Sequence, residues 1–137
     1  MSLSVLSAAL LACSAPAMAQ TFETPLTSNF FEGEIRASGM YQTVYVFRWY
    51  PIDVDGRFAI CGAGYYRSNA FRTAVRGMAR RAEFVKNGQS FPVDMSHFKR
   101  VSRGEIDQTS ATCRQTNIPV AGTQQVGIRF GRGTYGR

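Results

Sequence analysis

Histidine is almost absent from this chain and cysteine is scarce, since its 137 residues include one His and three Cys. Their wide spacing does not match the ligand pattern of a zinc site, and no Cys-x-x-Cys redox pair occurs. No serine lies in a nucleophile-elbow motif, and Gly62-Ala63-Gly64 lacks the third glycine of a nucleotide-binding loop. The motifs therefore predict no metal, no cofactor and no catalytic residue.

Long hydrophobic runs are also missing. The apolar stretch Leu3–Ala12 is much shorter than the roughly 20 residues that span a bilayer, and no later run is longer. It is followed by Ala17-Met18-Ala19, the small-x-small pattern that signal peptidase recognises. We expect a signal peptide over residues 1–19, a mature chain starting at Gln20 without a transmembrane segment, and export to the periplasm or the medium.

Cys13 supports an alternative in which the protein stays attached to a membrane. Leu10-Leu11-Ala12-Cys13 resembles a bacterial lipobox, and cleavage before Cys13 would give a lipid-anchored protein. Only twelve residues precede Cys13, which is short for a signal. A lipoprotein is therefore the secondary expectation.

Acidic residues are outnumbered, with 9 Asp and Glu against 16 Lys and Arg, which gives a net charge of +7. Lysine is rare too, because Lys86 and Lys99 are its only examples and all other cations are Arg. Arginine binds carboxylate and phosphate as a planar fork, although a GC-rich genome would also favour it over lysine. The charge predicts attraction to polyanions such as nucleic acid, lipopolysaccharide or an anionic membrane face.

Two cysteines remain after signal removal, Cys61 and Cys113. An even number in an oxidising compartment predicts a disulfide between them. The bond would close a loop of about 50 residues, for which chain entropy predicts roughly 4 kcal/mol of stabilisation.

The mature chain is long enough for one domain. Removing 19 signal residues from 137 leaves 118, which can bury a single core. We interpret residues 20–30 as a flexible lead-in and residues 31–137 as a single small α+β domain.

The clearest element is a β-hairpin. Tyr41–Tyr50 is rich in β-branched and aromatic residues, and Arg57–Tyr66 is the predicted returning strand. Between them, Asp55-Gly56 suits a tight turn with positive φ. A two-residue turn pairs Val54 with Arg57 and fixes the register of the whole hairpin.

This register predicts two different faces. It places Trp49 opposite Gly62 and Phe47 opposite Gly64, so that aromatic rings can cover the strand glycines. One face is core-like and carries Tyr45, Phe47, Trp49, Phe58 and Ile60. The other is mixed and carries Val46, Arg48, Tyr50, Arg57, Cys61 and Tyr65.

One helix is predicted over Ser68–Lys86. Its apolar stripe has helical spacing, Ser68 or Asn69 can cap its start, and Asn87-Gly88 can end it. Later strand candidates are Phe91–Val101, Ala111–Ile118 and Gln125–Phe130. The expected fold is α+β, in the order β-β-β-α-β-β-β, with the helix packed on an antiparallel sheet of about five to six strands.

Two arginine-rich features are candidates for binding anions. The mixed hairpin face combines Arg with aromatic rings, as in surfaces that hold single-stranded nucleic acid, although other strands could cover it. The helix carries arginines at four-residue spacing, which is also common on a solvated face. The candidate residues are Arg48, Tyr50, Arg57, Tyr65, Arg72, Arg76 and Arg80.

His97 is the remaining chemical candidate. A general acid–base role would need a partner such as Asp94, Glu105 or Asp107, together with an Arg. Asp94 and His97 are three residues apart, so a regular strand would point them to opposite faces.

Three functions are consistent with these features. The first is an exported, non-catalytic basic module that binds an anionic envelope component or polyanion. The second is a structural or interaction protein of the envelope, possibly a homodimer formed through its sheet. The third is a small secreted hydrolase or nuclease that uses His97.

Overall fold

A computed structural model of the protein describes residues 19–25, 30–36, 42–106 and 110–131. Across these ranges the predicted α+β class is confirmed, with mostly antiparallel strands and one helix. The elements are β1 (Ala19–Pro25), β2 (Phe31–Arg36), β3 (Thr43–Val54), β4 (Arg57–Tyr66), α1 (Arg72–Arg80), β5 (Ala82–Lys86), β6 (Gln89–Val93), β7 (Lys99–Arg100), β8 (Ser110–Pro119) and β9 (Val126–Arg129).

The strands form two sheets rather than the single sheet expected. The larger sheet has the order β1-β8-β4-β3-β2, and the short β7 pairs in parallel with β4. The smaller sheet has the order β6-β5-β9. A 3-10 turn, Asn69–Phe71, leads into α1, and a second one, Arg103–Glu105, follows β7.

The central hairpin β3–β4 has the predicted register. Val54 pairs with Arg57, and Trp49 pairs with Gly62. At the turn, Asp55 and Gly56 have φ values of 54° and 83°, which a primed two-residue turn requires. The local sequence of the hairpin thus determines its pairing.

The two glycines of β4 are not covered by the rings paired with them across the hairpin. A Cβ built on Gly62 would lie 2.6 Å from the ring of Phe98, and one on Gly64 would collide with Tyr45. Tyr45 leans along β3 and so reaches its diagonal neighbour, which direct pairing did not predict. Phe47 instead covers Gly33, its direct partner on β2.

The core face of the hairpin packs against the smaller sheet and α1. Phe84 of β5 is fully buried, 5.0 Å from the Phe58 ring and 6.3 Å from the Trp49 ring. The helix contributes Val75 and Met78 to the same cluster. We call this side of the hairpin the core face.

The helix is shorter than predicted. It ends at Arg80, and Ala82–Lys86 forms β5, which the Asn87-Gly88 turn connects to β6. Asn87 and Gly88 have φ values of 52° and 82°, so this dipeptide makes a hairpin instead of ending a helix. The apolar spacing from the helix into β5 imitated a helical stripe, but burial alternates through β5.

Other local predictions at the helix also change. Neither Ser68 nor Asn69 donates or accepts a side-chain capping hydrogen bond; Ser68 precedes the 3-10 turn and Phe71 precedes α1. Glu83, which lies in the predicted helix, belongs to β5 and binds Arg129 of β9 at 3.0 Å. Strand pairing therefore decides this ion pair.

The predicted lead-in is largely a strand. Residues 20–25 belong to β1, which pairs antiparallel with β8 and continues the larger sheet beyond Cys113. Backbone pairing with β8 stabilises a segment whose own composition favours no strand. The signal peptide and the Cys13 lipobox lie outside the described residues, apart from Ala19.

The predicted strand Phe91–Val101 is divided in two. β6 ends at Val93, a turn follows, and β7 begins at Lys99. Asp94 accepts hydrogen bonds from the backbone and hydroxyl of Ser96, which stabilise the turn. Asp94 and His97 therefore lie outside a regular strand, and alternation does not point their side chains to opposite faces.

The opposite side of the hairpin contains the disulfide, and we call it the disulfide face. Cys61 of β4 and Cys113 of β8 are directly paired, fully buried and bonded, as predicted. Ala63, Ala111 and Ile106 complete this smaller buried cluster. It lies on the other side of the larger sheet from the main core.

None of the described helices is long and apolar enough to cross a membrane.

Candidate anion-binding site

The arginines of α1 form one surface, as their spacing predicts. Arg72, Arg76 and Arg80 line a shared depression with Asn69 and Thr73. Arg76 and Arg80 are exposed, whereas Arg72 is half-buried. The opposite side of the helix is in the core, so packing orients this row towards solvent.

Another basic side chain, Arg100 of β7, reaches the same region. Parallel pairing of β7 with β4 sets Arg100 beside Gly64, near the end of β4. From there the Arg100 guanidinium lies 5.6 Å from the centre of the Tyr66 ring, and that of Arg72 lies 5.7 Å from it. The aromatic ring thus attracts two cations from different elements.

The depressions around Tyr66 adjoin one another. Arg76 lines both the helix depression and a small cleft containing Tyr66 and Arg100. Asn69 connects the helix depression with a third, which Arg103 also lines. We call this continuous region the Tyr66 surface; it comprises Tyr65, Tyr66, Asn69, Arg72, Arg76, Arg80, Arg100, Ser102 and Arg103.

The ion pairs between described residues lie outside the Tyr66 surface. Their carboxylates pair with Arg36, Arg48, Arg114 and Arg129 at 3.0–3.6 Å. By contrast, none of the five arginines of the Tyr66 surface has a salt bridge within the described part of the chain. No described carboxylate therefore pairs with these five cations.

One donor of the Tyr66 surface is buried without a partner. Arg72 Nε has no hydrogen-bond acceptor among the described residues, although it is shielded from water. An unsatisfied buried donor costs about 1–3 kcal/mol. Glu105 is the acidic residue that lines this region, at its Arg103 end.

The predicted candidates separate into two groups. The helix arginines lie together, whereas Tyr65 lines the Arg103 end of the surface and packs against the disulfide cluster. Arg57 lies at the other end of β4, about 26 Å from Tyr65 along the strand. Arg48 pairs with Glu32 at 3.2 Å and lies 4.2 Å from the Phe30 ring. Tyr50 packs, half-buried, against the disulfide cluster.

His97 lies in a different place, beside Arg114 and Asp94. Its Nε2 donates a 2.7 Å hydrogen bond to the Ile60 carbonyl, while Nδ1 is buried without a partner within the described ranges. Burial lowers the pKa of His97 to about 4, and the Arg114 charge acts in the same direction. The ring is therefore neutral at pH 7, with its Nε2 proton committed to the backbone.

The described residues include no cluster of three or more His, Cys, Asp or Glu that could hold a metal ion. Comparison of the chain with protein-family models, with curated proteins and with solved structures gives no match.

Sequence reasoning missed Tyr66, Arg100 and Arg103. A signal for Tyr66 existed, because it follows Tyr65 at the strand end and faces the helix side. No local pattern indicates that Arg100 lies beside it, since β7 pairs with β4 across more than thirty residues. Only the tertiary structure reveals this proximity.

Proposed function

We propose that this protein is an exported, non-catalytic module that binds an anionic polymer through the Tyr66 surface. The observation that carries the proposal is the set of five arginines around Tyr66 without a carboxylate partner among the described residues. Repeated phosphate, sulfate or carboxylate groups are the ligands that such a surface attracts. The ligand class is an anionic component of the cell envelope.

The geometry favours an extended ligand over a single ion. Arg80 and Arg103 belong to opposite ends of a chain of adjoining depressions, so one small anion cannot contact all the guanidiniums. A polymer can release several counterions at once when it binds. Tyr66 and Tyr65 add aromatic surface on which a sugar or base can pack.

Export is part of the proposal. The bonded Cys61 and Cys113 are typical of a protein that matures in an oxidising compartment. Intact mass of the protein from its native envelope fraction should begin at Gln20 and lack the two thiol hydrogens until reduction. A chain that is uncleaved and recovered from the cytoplasm contradicts export, and a lipid on Cys13 makes it a tethered lipoprotein.

The binding test compares two triple variants of equal net charge. The first, Arg76→Gln with Arg80→Gln and Arg100→Gln, removes exposed cations from the Tyr66 surface. The matched control, Arg36→Gln with Arg57→Gln and Arg129→Gln, removes three exposed cations elsewhere. Each protein is measured for retention on heparin and for its affinity to a DNA duplex at several salt concentrations.

We expect the surface variant to elute from heparin at lower salt than the control. Its dependence of log affinity on log salt should become shallower by about 2–3, since each lost phosphate contact removes about 0.9. Equal losses in both variants would show that net charge alone drives binding and would reject the Tyr66 surface. Retention no greater than that of a neutral protein would reject the function itself.

A homodimer through the sheet is a second candidate, favoured by Phe31. This side chain is 45% exposed on β2, the end strand of the larger sheet, and its ring stacks 4.7 Å from Trp49. Exposed aromatic surface on an edge strand favours strand pairing between copies. Light scattering at high concentration tests this, because Phe31→Lys should abolish a dimer, and a monomeric parent protein excludes it.

A further inference from the structure

A cavity of about 440 Å³ lies beside His97, away from the Tyr66 surface. It exists because β4 and β8 separate there. Ala59 pairs with Gln115 and Arg57 with Pro119, so β8 has two extra residues between these pairs. Thr116 bonds to the Phe58 carbonyl at 2.8 Å and bridges the gap.

The body of this cavity is apolar and partly closed. Ile60 and Ile118 are almost fully buried at one side, and Phe91 and Val93 of β6 form a half-buried wall. The lining residues Pro92, Asp94, Asn117 and Pro119 are exposed and mark the opening to solvent. Its size and mainly apolar lining are typical of small-molecule sites, which occupy about 300–1,000 Å³.

The polar end of the cavity is built around Arg114. Its Nη1 donates to the Asp94 carbonyl at 2.9 Å and lies 3.4 Å from the Asp94 carboxylate. Its Nε is buried without an acceptor within the described chain, but the Arg114 side chain is 26% exposed and lines the cavity. Asp94 thus holds the guanidinium in place at the cavity wall.

His97 lies at the same end of the cavity. Its Nε2 donates to the backbone, and the buried Nδ1 of the neutral ring has no hydrogen-bond partner among the described residues. The ring is held edge-on against Phe98, 5.1 Å between centres. Arg114 and His97 both line the cavity, so this end carries a cation and a polar ring beside the apolar surface.

We propose that this cavity binds a small monocarboxylic acid with an apolar body, whose carboxylate pairs with the Arg114 guanidinium at the polar end. An arginine fork suits a carboxylate because two parallel hydrogen bonds can form. The apolar body would replace water against Ile60, Phe91 and Ile118. This site is independent of the Tyr66 surface and does not rest on the proposed function.

The experiment uses octanoate and 3-phenylpropanoate as probes and octanol as the uncharged match. Amide chemical-shift titration of the full chain reports both the affinity and the position of binding. We expect one or both acids to shift residues of β6 and of the 114–119 segment. Octanol should bind at least about tenfold more weakly than the acids, because it cannot form the charge-assisted contact.

Three variants separate the causes. Arg114→Gln should weaken binding of the acids about tenfold or more. Asn117→Trp, which places a large ring at the exposed opening, should block all probes while leaving the polar end intact. Arg129→Gln, which breaks an ion pair on the smaller sheet, is the matched control and should change nothing.

Several results would overturn the proposal. They are the absence of shifts in the cavity residues with either acid, equal binding of octanol, and unchanged binding in Asn117→Trp. The last variant keeps the test valid even if Arg114→Gln fails to fold. Heparin retention should be unaffected by Asn117→Trp, so failure here and failure of the anionic-polymer function give different results.

Discussion

The two faces of the central hairpin are closed by different means. The core face is covered by aromatic side chains from the smaller sheet, with Phe84 at the centre. The disulfide face has a smaller buried centre, in which a covalent bond joins two neighbouring strands and half-buried side chains such as Tyr50 and Ile52 pack around it. Packing stabilises the native state directly, whereas a disulfide acts mainly by restricting the unfolded chain.

The core face should be the more sensitive to substitution. Phe84→Ala removes a fully buried ring that contacts Trp49 and Phe58, and we expect a loss of about 4–5 kcal/mol. Urea denaturation followed by tryptophan fluorescence measures the change. A loss below about 1 kcal/mol would mean that the smaller sheet does not close this face.

The disulfide face should follow closely. Cys61→Ala with Cys113→Ala opens a loop with a sequence separation of 52, so we expect about 4 kcal/mol of destabilisation. Reduction of the parent protein should have a similar effect, and it provides the control for packing around the two positions. Equal unfolding free energies for oxidised and reduced protein would show that the pairing of β4 with β8 is stable without the bond.

His97, at the edge of the core face, should make stability depend on pH. Burial lowers its folded pKa from 6.5 to about 4, so the unfolded chain binds the proton first as pH falls. The free energy of unfolding should be constant above pH 6.5 and decline by about 3 kcal/mol as the pH falls to 4.

Asp94 contributes below that window. Burial opposes its ionisation, but hydrogen bonds from Ser96 and the charge of Arg114 outweigh burial and lower the pKa of its carboxyl. Its share of stability is therefore lost only as the pH falls below its ordinary pKa value of 3.8.

The variant His97→Gln tests the effect of His97. Its unfolding free energies at pH 7 and pH 4.5 should differ much less than those of the parent protein. An unchanged difference would assign the effect to other groups.

The smallest effect should come from the surface pair on the disulfide side. Arg48 and Glu32 lie 3.2 Å apart across β3 and β2, and the Glu32 side chain is 57% exposed. Glu32→Gln should therefore cost below about 1 kcal/mol at low salt and less at high salt. A larger loss would mean that the disulfide face needs the Arg48 side chain, held by Glu32, to shield it from water.

Local sequence was sufficient where adjacent residues decide the structure. The Asp55-Gly56 turn sets the β3–β4 register, and alternation along β3 sets its buried face. The same kind of signal was present at Asn87-Gly88, but the apolar spacing before it also fitted a helix. Burial of Phe84 against the core face resolves that ambiguity in favour of a strand.

The candidate sites were only partly predictable for the same reason. Spacing of four residues places Arg76 and Arg80 on one side of a helix, so that row could be recognised. The approach of Arg100 to Tyr66 depends on a two-residue parallel pairing, which carries no sequence signature. The His97 cavity depends on a register shift between β4 and β8, which is likewise invisible in the sequence.

By itself, the sequence determined the fold class, the central hairpin, the Cys61–Cys113 bond and the excess of positive charge. These follow from turn chemistry, alternation, cysteine count and composition, all of which are local or additive properties. Only the tertiary structure decided which arginines are neutralised and which surround Tyr66. Ion pairing and cavity formation depend on distances between residues far apart in the chain, and those distances are fixed by how the two sheets pack.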